Sequence, residues 1–170
     1  GPRKAWGYEQ MKTEIIIAVR GEIPGNLERT VDEALKVAPV CVVYDGREAL
    51  KKGVAPFRLE PREGLRTIDK WDKPRGPGAA RHAGIVSSEA ALIVICDGHM
   101  TFPEGWMDEI EGYHKHRQNR LTCCRMQSLG QDGEPLPDAP RSGAELIMTT
   151  KEAAGNFWAL SAKWHSGMAG

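Results

Sequence analysis

Ala90-Ala91-Leu92-Ile93-Val94-Ile95-Cys96-Asp97-Gly98-His99 is the stretch that decides how this chain is read. An unbroken apolar run closed by Asp-Gly is the pattern of a strand covered on both faces, as strands of a parallel sheet are. Residues i and i+2 of an extended segment point the same way. Asp97 and His99 therefore converge at the strand's tip, with Gly98 allowing close approach between them. Open α/β sheets bind their ligands outside the carboxyl ends of the strands. A carboxylate and an imidazole there suit one divalent cation. Asp-Gly also makes ordinary turns after strands, and His99 alone reads equally well as a loop residue.

Upstream, Thr13 to Val19 (Thr-Glu-Ile-Ile-Ile-Ala-Val) has the same continuous, β-branched character and predicts a central parallel strand. Arg20 to Asn26 reads as a loop. Leu27 to Val37 carries the helical period through Leu27, Val31, Ala34 and Leu35, and Val40 to Tyr44 is a second buried strand ending at Asp45-Gly46. This is a β-α-β unit, for which a right-handed crossover is expected. Residues 46 to 63 read as irregular, with a short helix at Arg47 to Lys52 and a short strand near Phe57 to Leu59. Residues 64 to 78 read as a polar Gly/Pro-rich loop leading into a helix at Ala79 to Ser88. After the strand Leu92 to Cys96, a helix is expected over Gly105 to Arg117. Short strands follow at Leu121 to Gln127, Glu145 to Thr149 and Phe157 to Leu160, with a proline-bearing loop at Asp132 to Arg141 and a glycine-containing tail from Lys163. Alternating strands and helices predict an α/β three-layer sandwich around a mostly parallel sheet. The expected organisation is an extension at residues 1–12 and a single domain over 13–170.

The 170 residues suffice for one domain with a sizeable core, and the formal net charge of zero gives no global electrostatic case for nucleic acid or an anionic membrane. No apolar run reaches the roughly 20 residues that span a bilayer. Gly1-Pro2-Arg3-Lys4 does not open a signal peptide. The four cysteines form no secreted disulfide framework, and Cys41 and Cys96 sit in apolar runs as small hydrophobes, so a cytoplasmic location is expected. A zinc set from His114, His116, Cys123 and Cys124 matches no standard module spacing. The basic stretch from His114 to Arg125 reads first as a solvated helix face.

Three strand ends carry polar groups: Arg20-Gly21-Glu22, Asp45-Gly46 and Asp97-Gly98-His99. A further cluster, Arg75-Gly76-Pro77-Gly78-Ala79-Ala80-Arg81-His82, puts arginines around a helix start, where phosphate is favoured. It lacks the Gly-Lys-Ser/Thr ending of a P-loop. Solvated loop arginines explain the same composition.

Taken together, Gly76 to Ile85, Glu89 to His99 and Gly105-Trp106-Met107 resemble the nucleotide-sugar half of family two type glycosyltransferases, which have the A-type glycosyltransferase fold. The Asp-x-His variant and the following Gly-Trp look most like the polypeptide N-acetylgalactosaminyltransferase branch. Ile15 to Glu22 and Val42 to Gly46 fall where that family has its first two strands, and the match runs in order over roughly residues 13 to 165. The resemblance implies a metal-dependent hexosyl- or N-acetylhexosaminyl-transferase using a UDP-sugar donor. Asp45 would bind the uracil base. Ala18, Val19 and Glu22 would line the nucleoside pocket, and Arg81 would lie near the diphosphate or its ribose. Asp97 and His99 would hold Mn²⁺ or Mg²⁺ on the diphosphate. Gly155 to Leu160 resembles the acceptor-side floor, where Trp158 or Trp164 could stack on a sugar or belong to the core.

The family continues beyond the position of Gly167 to Gly170 into an acidic acceptor-site motif and often a third metal ligand. Two expectations stand open, a domain truncated in its acceptor half or a minimal member of the family, with the catalytic residues unassigned in either. The acceptor is a hydroxyl group whose carrier stays open: protein, glycan, lipid-linked sugar or hydroxymethylated DNA base. The competing readings are a non-catalytic nucleotide-sugar-binding domain and a nucleotidyltransferase of related fold, for which Arg20 to Gly25 is a poor match to the expected glycine-rich loop.

Overall fold

A computed structural model describes residues 12–47, 56–115, 121–123 and 157–161. In chain order the elements are β1 (Thr13–Val19), α1 (Pro24–Leu35), β2 (Val40–Tyr44), β3 (Leu65–Ile68), α2 (Pro77–Val86), β4 (Leu92–Cys96), α3 (Trp106–His114), β5 (Leu121–Cys123) and β6 (Phe157–Ser161). They build one six-stranded sheet in the order β3-β2-β1-β4-β6-β5. The first four of these strands run parallel, and β6 joins β4 and β5 antiparallel. The architecture is the expected α/β three-layer sandwich with a mostly parallel sheet.

The continuous apolar runs produce this arrangement because both faces of the central strands are covered. On β1, Ile15 and Ile17 pack with Val40, Val42 and Val94 beneath Leu27, Val31 and Ala34 of α1 and Met107 and Ile110 of α3. Ile16, between them, faces the other way with Cys41, Val43, Ile93 and Ile95, against Ala80, Ala83 and Ile85 of α2. All three isoleucines are fully buried, each worth about 1.5–3 kcal/mol of transfer free energy. The second helix lies close to the sheet because Gly84 has no side chain: a Cβ there would sit 2.4 Å from Ile16 Cγ2 and 3.3 Å from Val43 Cγ2.

Three expectations are corrected. The segment over 64–78 is not all loop, since Leu65–Ile68 forms β3, paired in parallel with β2. Its strand character is hidden by Arg66, whose guanidinium reaches the Glu14 carboxylate with Nε–Oε2 2.8 Å and Nη2–Oε1 2.7 Å, and also donates to Ser87 Oγ at the end of α2. Phe57 to Leu59 is not a strand; it is held as irregular chain, the Leu59 N–H donating to the Tyr44 hydroxyl and Arg58 lying over the Tyr44 ring. Both α1 and α2 begin earlier than the apolar period indicates, at Pro24 and Pro77. A proline in the first helical turn lacks only an N–H that has no helical partner there, and its fixed φ suits the helix. The short helix expected from Arg47 falls on residues outside the described set. So do the strand at Glu145 to Thr149, the loop at 132–141 and the tail from Lys163.

Candidate functional site

The carboxyl ends of β1, β2 and β4 lie side by side, because β1 sits between the other two. Each end carries one of the polar groups singled out above. At the tip of β4, Asp97 Oδ2 and His99 Nε2 face each other across 3.8 Å. The second ring nitrogen, Nδ1, lies 3.0 Å from Glu22 Oε2 in the loop after β1. Arg81, one turn into α2, reaches Asp97 Oδ1 at 3.4 Å. Glu22, Asp97 and Arg81 are largely enclosed, with side chains 17%, 19% and 18% exposed, whereas His99 is 50% exposed and opens the cluster to solvent.

Gly98 makes this convergence possible. A Cβ there would lie 3.0 Å from Val19 Cγ1 and 3.1 Å from both Cγ and Oε2 of Glu22. The tip of β4 therefore packs directly onto the end of β1.

The electrostatics are those of a site short of positive charge. Burial pushes the Asp97 carboxyl above its usual range, and Glu22 adds to this, while His99 and Arg81 pull the other way. A carboxylate only accepts hydrogen bonds, so the contact with Glu22 assigns the proton of a neutral His99 ring to Nδ1. Nε2 then presents a lone pair to Asp97 Oδ2. Two acceptors facing at 3.8 Å leave room for a proton, a water or a cation between them.

A single divalent ion fits that space. Ligand bonds of about 2.1 Å to one ion allow separations between roughly 3 and 4 Å for ligands that are not opposite each other. Among the described residues no group of three or more His, Cys, Asp and Glu side chains could hold a metal ion, so Asp97 and His99 offer two ligands at most.

Asp45, at the tip of β2, is 5% exposed. Its Oδ1 accepts the Arg75 N–H at 2.7 Å and its Oδ2 the Gly76 N–H at 3.0 Å. Gly76 is the N-cap of α2 with no side-chain cap, and Asp45 holds the two residues that lead into that helix from another strand. The neighbouring Gly46, at φ 93°, lies against Pro74, and a Cβ there would be 2.6 Å from the Pro74 nitrogen. The end of β2 thus clamps the chain that leads into α2 and Arg81. Val19 belongs to the core, and its carbonyl accepts the Asp45 N–H at 2.9 Å. Ala18 packs on the α2 face.

Glu22, Arg81, Asp97 and His99 come together, and Asp45 stands apart on the far side of β1. Sequence reasoning did not find the Glu22–His99 pairing or the backbone partners of Asp45. Nothing local marks either, since the partners lie 77 and about 30 residues away. Trp158 lies on β6 opposite Ile95, and Trp164 lies outside the described residues. Of the imagined zinc set, His114 is buried and its Nε2 meets Thr122 Oγ1 at 2.9 Å. His116 and Cys124 lie outside the described residues. No described helix is long and apolar enough to cross a membrane.

No protein-family model and no curated protein sequence matches this chain. Solved structures do. It is similar to a mannosyltransferase from Pyrobaculum calidifontis in complex with GDP-Man and Mn²⁺, with TM-score 0.61 and 13% identity over 95% of this chain and 47% of that one. GalNAc-T7 with UDP, GalNAc and Mn²⁺ aligns with TM-score 0.58 and 12% identity over 91% of this chain and 35% of that one. CMP:2-keto-3-deoxy-manno-octonic acid synthetase complexed with CTP aligns with TM-score 0.51 and 13% identity over 93% and 77%. At such identities the likeness shows the fold, which is that of the A-type nucleotide-diphospho-sugar transferases. The chain spans less than half the length of the two glycosyltransferases.

Proposed function

We propose that this chain is a metal-dependent glycosyltransferase, or its catalytic core, that transfers a sugar from a UDP-sugar to a hydroxyl-bearing acceptor. The observation that carries the reading is the pair of facing acceptors, Asp97 Oδ2 and His99 Nε2, at the carboxyl end of β4. The spacing suits two ligands of one cation at the place where α/β sheets bind nucleotides. Bound there, Mn²⁺ or Mg²⁺ would neutralise charge on a leaving diphosphate. Arg81 would add a fixed positive charge on the same side. Asp45 would hold the entry to α2 in place and lie beside the uracil, with Glu22 and the ends of β1 bordering the nucleoside. Two of the structural neighbours were solved with a nucleotide or nucleotide sugar and Mn²⁺, which supports the same reading. A cytoplasmic setting belongs with this reading, in which Cys41 and Cys96 serve as small buried core residues.

One observation favours a second reading, nucleotidyl transfer: the chain spans 77% of the CTP-bound synthetase. The two reactions leave different products. A UDP-sugar panel with and without Mn²⁺ should release UDP in a metal-dependent way with at least one sugar. Pyrophosphate released from a nucleoside triphosphate and a sugar, without UDP release, would favour nucleotidyl transfer. Tight nucleotide-sugar binding with neither product would identify a binding domain.

A further inference from the structure

Glu22 sits where a nucleoside pocket was expected, yet its carboxylate is spent on a histidine. We propose that Glu22 is the positioning residue of this site: it fixes His99 as the Nδ1–H tautomer and turns Nε2 toward Asp97. The inference rests on reading Asp97 and His99 as a metal pair, and it assigns what prepares that pair.

The contact is 3.0 Å between His99 Nδ1 and Glu22 Oε2. Glu22 is largely enclosed, while the His99 end of the contact is open to solvent. The bond leaves Nε2, the nitrogen nearer Asp97, as the lone pair. Metal-ligating histidines depend on such an outer carboxylate to set ring orientation and basicity. Asp97 and Arg81 complete the charged groups around the ring.

Gly98 belongs to the same device. It is not among the glycines with positive φ, so its backbone does not require glycine. Its lack of a side chain is what leaves room for Glu22 Cγ and Oε2, each 3.1 Å from the position a Cβ would take. The Asp-Gly-His spacing thus combines two inward side chains with a gap through which Glu22 reaches the second.

The test uses nitrogen-15 NMR of the histidine rings in the metal-free 170-residue chain at pH 8, with the His99 signals assigned by their absence in His99→Gln. The five histidines make this tractable. Wild type is expected to carry the His99 proton on Nδ1. Glu22→Gln, whose amide oxygen still accepts, should keep it there, and Glu22→Ala should move the population toward Nε2–H. Calorimetric titration with Mn²⁺ should show affinity about 10- to 100-fold lower for Glu22→Ala, with Glu22→Gln close to wild type and Gly98→Ala weakened like Glu22→Ala. An unchanged tautomer in Glu22→Ala, with the other histidine signals at their wild-type positions, overturns the proposal. Equal loss of Mn²⁺ in Glu22→Gln and Glu22→Ala also overturns it, by making Glu22 a ligand. The expected tautomer pattern in a wild-type chain that binds no Mn²⁺ leaves Glu22 as the positioning group and removes the metal reading instead.

Discussion

Replacing Asp45 tests whether the end of β2 holds the entrance to α2. The carboxylate accepts two backbone N–H groups, from Arg75 at 2.7 Å and Gly76 at 3.0 Å, and is itself almost fully buried. Hydrogen bonds to a charged group contribute about 1.5–3 kcal/mol each. Interaction with the start of α2 adds about 0.3–1 kcal/mol. The Arg75 side of the contact is exposed, so water takes over part of the loss. Asp45→Ala should therefore destabilise the chain by about 2–4 kcal/mol. Asp45→Asn keeps one acceptor oxygen but sets an amide N–H₂ against the other backbone donor, and should lose about half as much. In urea, with a slope near 2 kcal/mol per molar, Asp45→Ala should lower the midpoint by about 1–2 M without changing the slope. An Asp45→Ala midpoint equal to wild type would refute the clamp. A fully destabilised Asn variant would show that charge, not acceptor count, holds the loop.

Gly84→Ala should destabilise by about 1–2 kcal/mol, because overpacking against Ile16 and Val43 outweighs the helix-propensity gain. Gly112→Ala on α3, where a Cβ meets nothing within 4 Å, should stabilise by up to about 1 kcal/mol, and thermal melts of the two variants report the contrast. Burial holds the Asp97 carboxyl above its usual range, so its ionisation at neutral pH opposes folding of the metal-free chain. Asp97→Asn should thus leave the metal-free melting temperature unchanged or raised, and a clear fall would contradict that account. Arg58, and then Arg47, hold the Asp69 carboxyl below 3.8, so their stabilisation is present above that pH and disappears as pH falls through the lower folded value. The stability gap between wild type and Arg58→Met should accordingly be seen in urea titrations at pH 7 and narrow below pH 3.8.

The parts of the fold that were legible in the sequence are those where burial dominates. Strands β1, β2 and β4 have unbroken apolar runs because both faces are covered, and no helix period competes with them. Strand β3 was illegible because it is short, at the sheet edge, and carries Arg66, whose partner Glu14 lies 52 residues away. The starts of α1 and α2 were misread because Gly-Pro and Pro-Gly pairs signal loops as readily as first helical turns. At the site, Asp97 and His99 lie just past the end of β4 at Cys96, with a bend at 98–99, so their nearness comes from that bend and not from the two-residue period of an extended segment. The hold of Asp45 on the entry to α2 and the capture of His99 by Glu22 follow from which strands become neighbours, and sheet order is not written locally.

Calorimetric titration of UDP into the 170-residue chain, in Mn²⁺ and again in EDTA, tests the central claim most directly. Saturable binding is expected in Mn²⁺, with a large loss in EDTA and the same loss in Asp97→Ala and His99→Ala variants whose circular dichroism matches wild type. UDP binding of equal strength with and without the metal, or unaffected by both substitutions, would contradict the account.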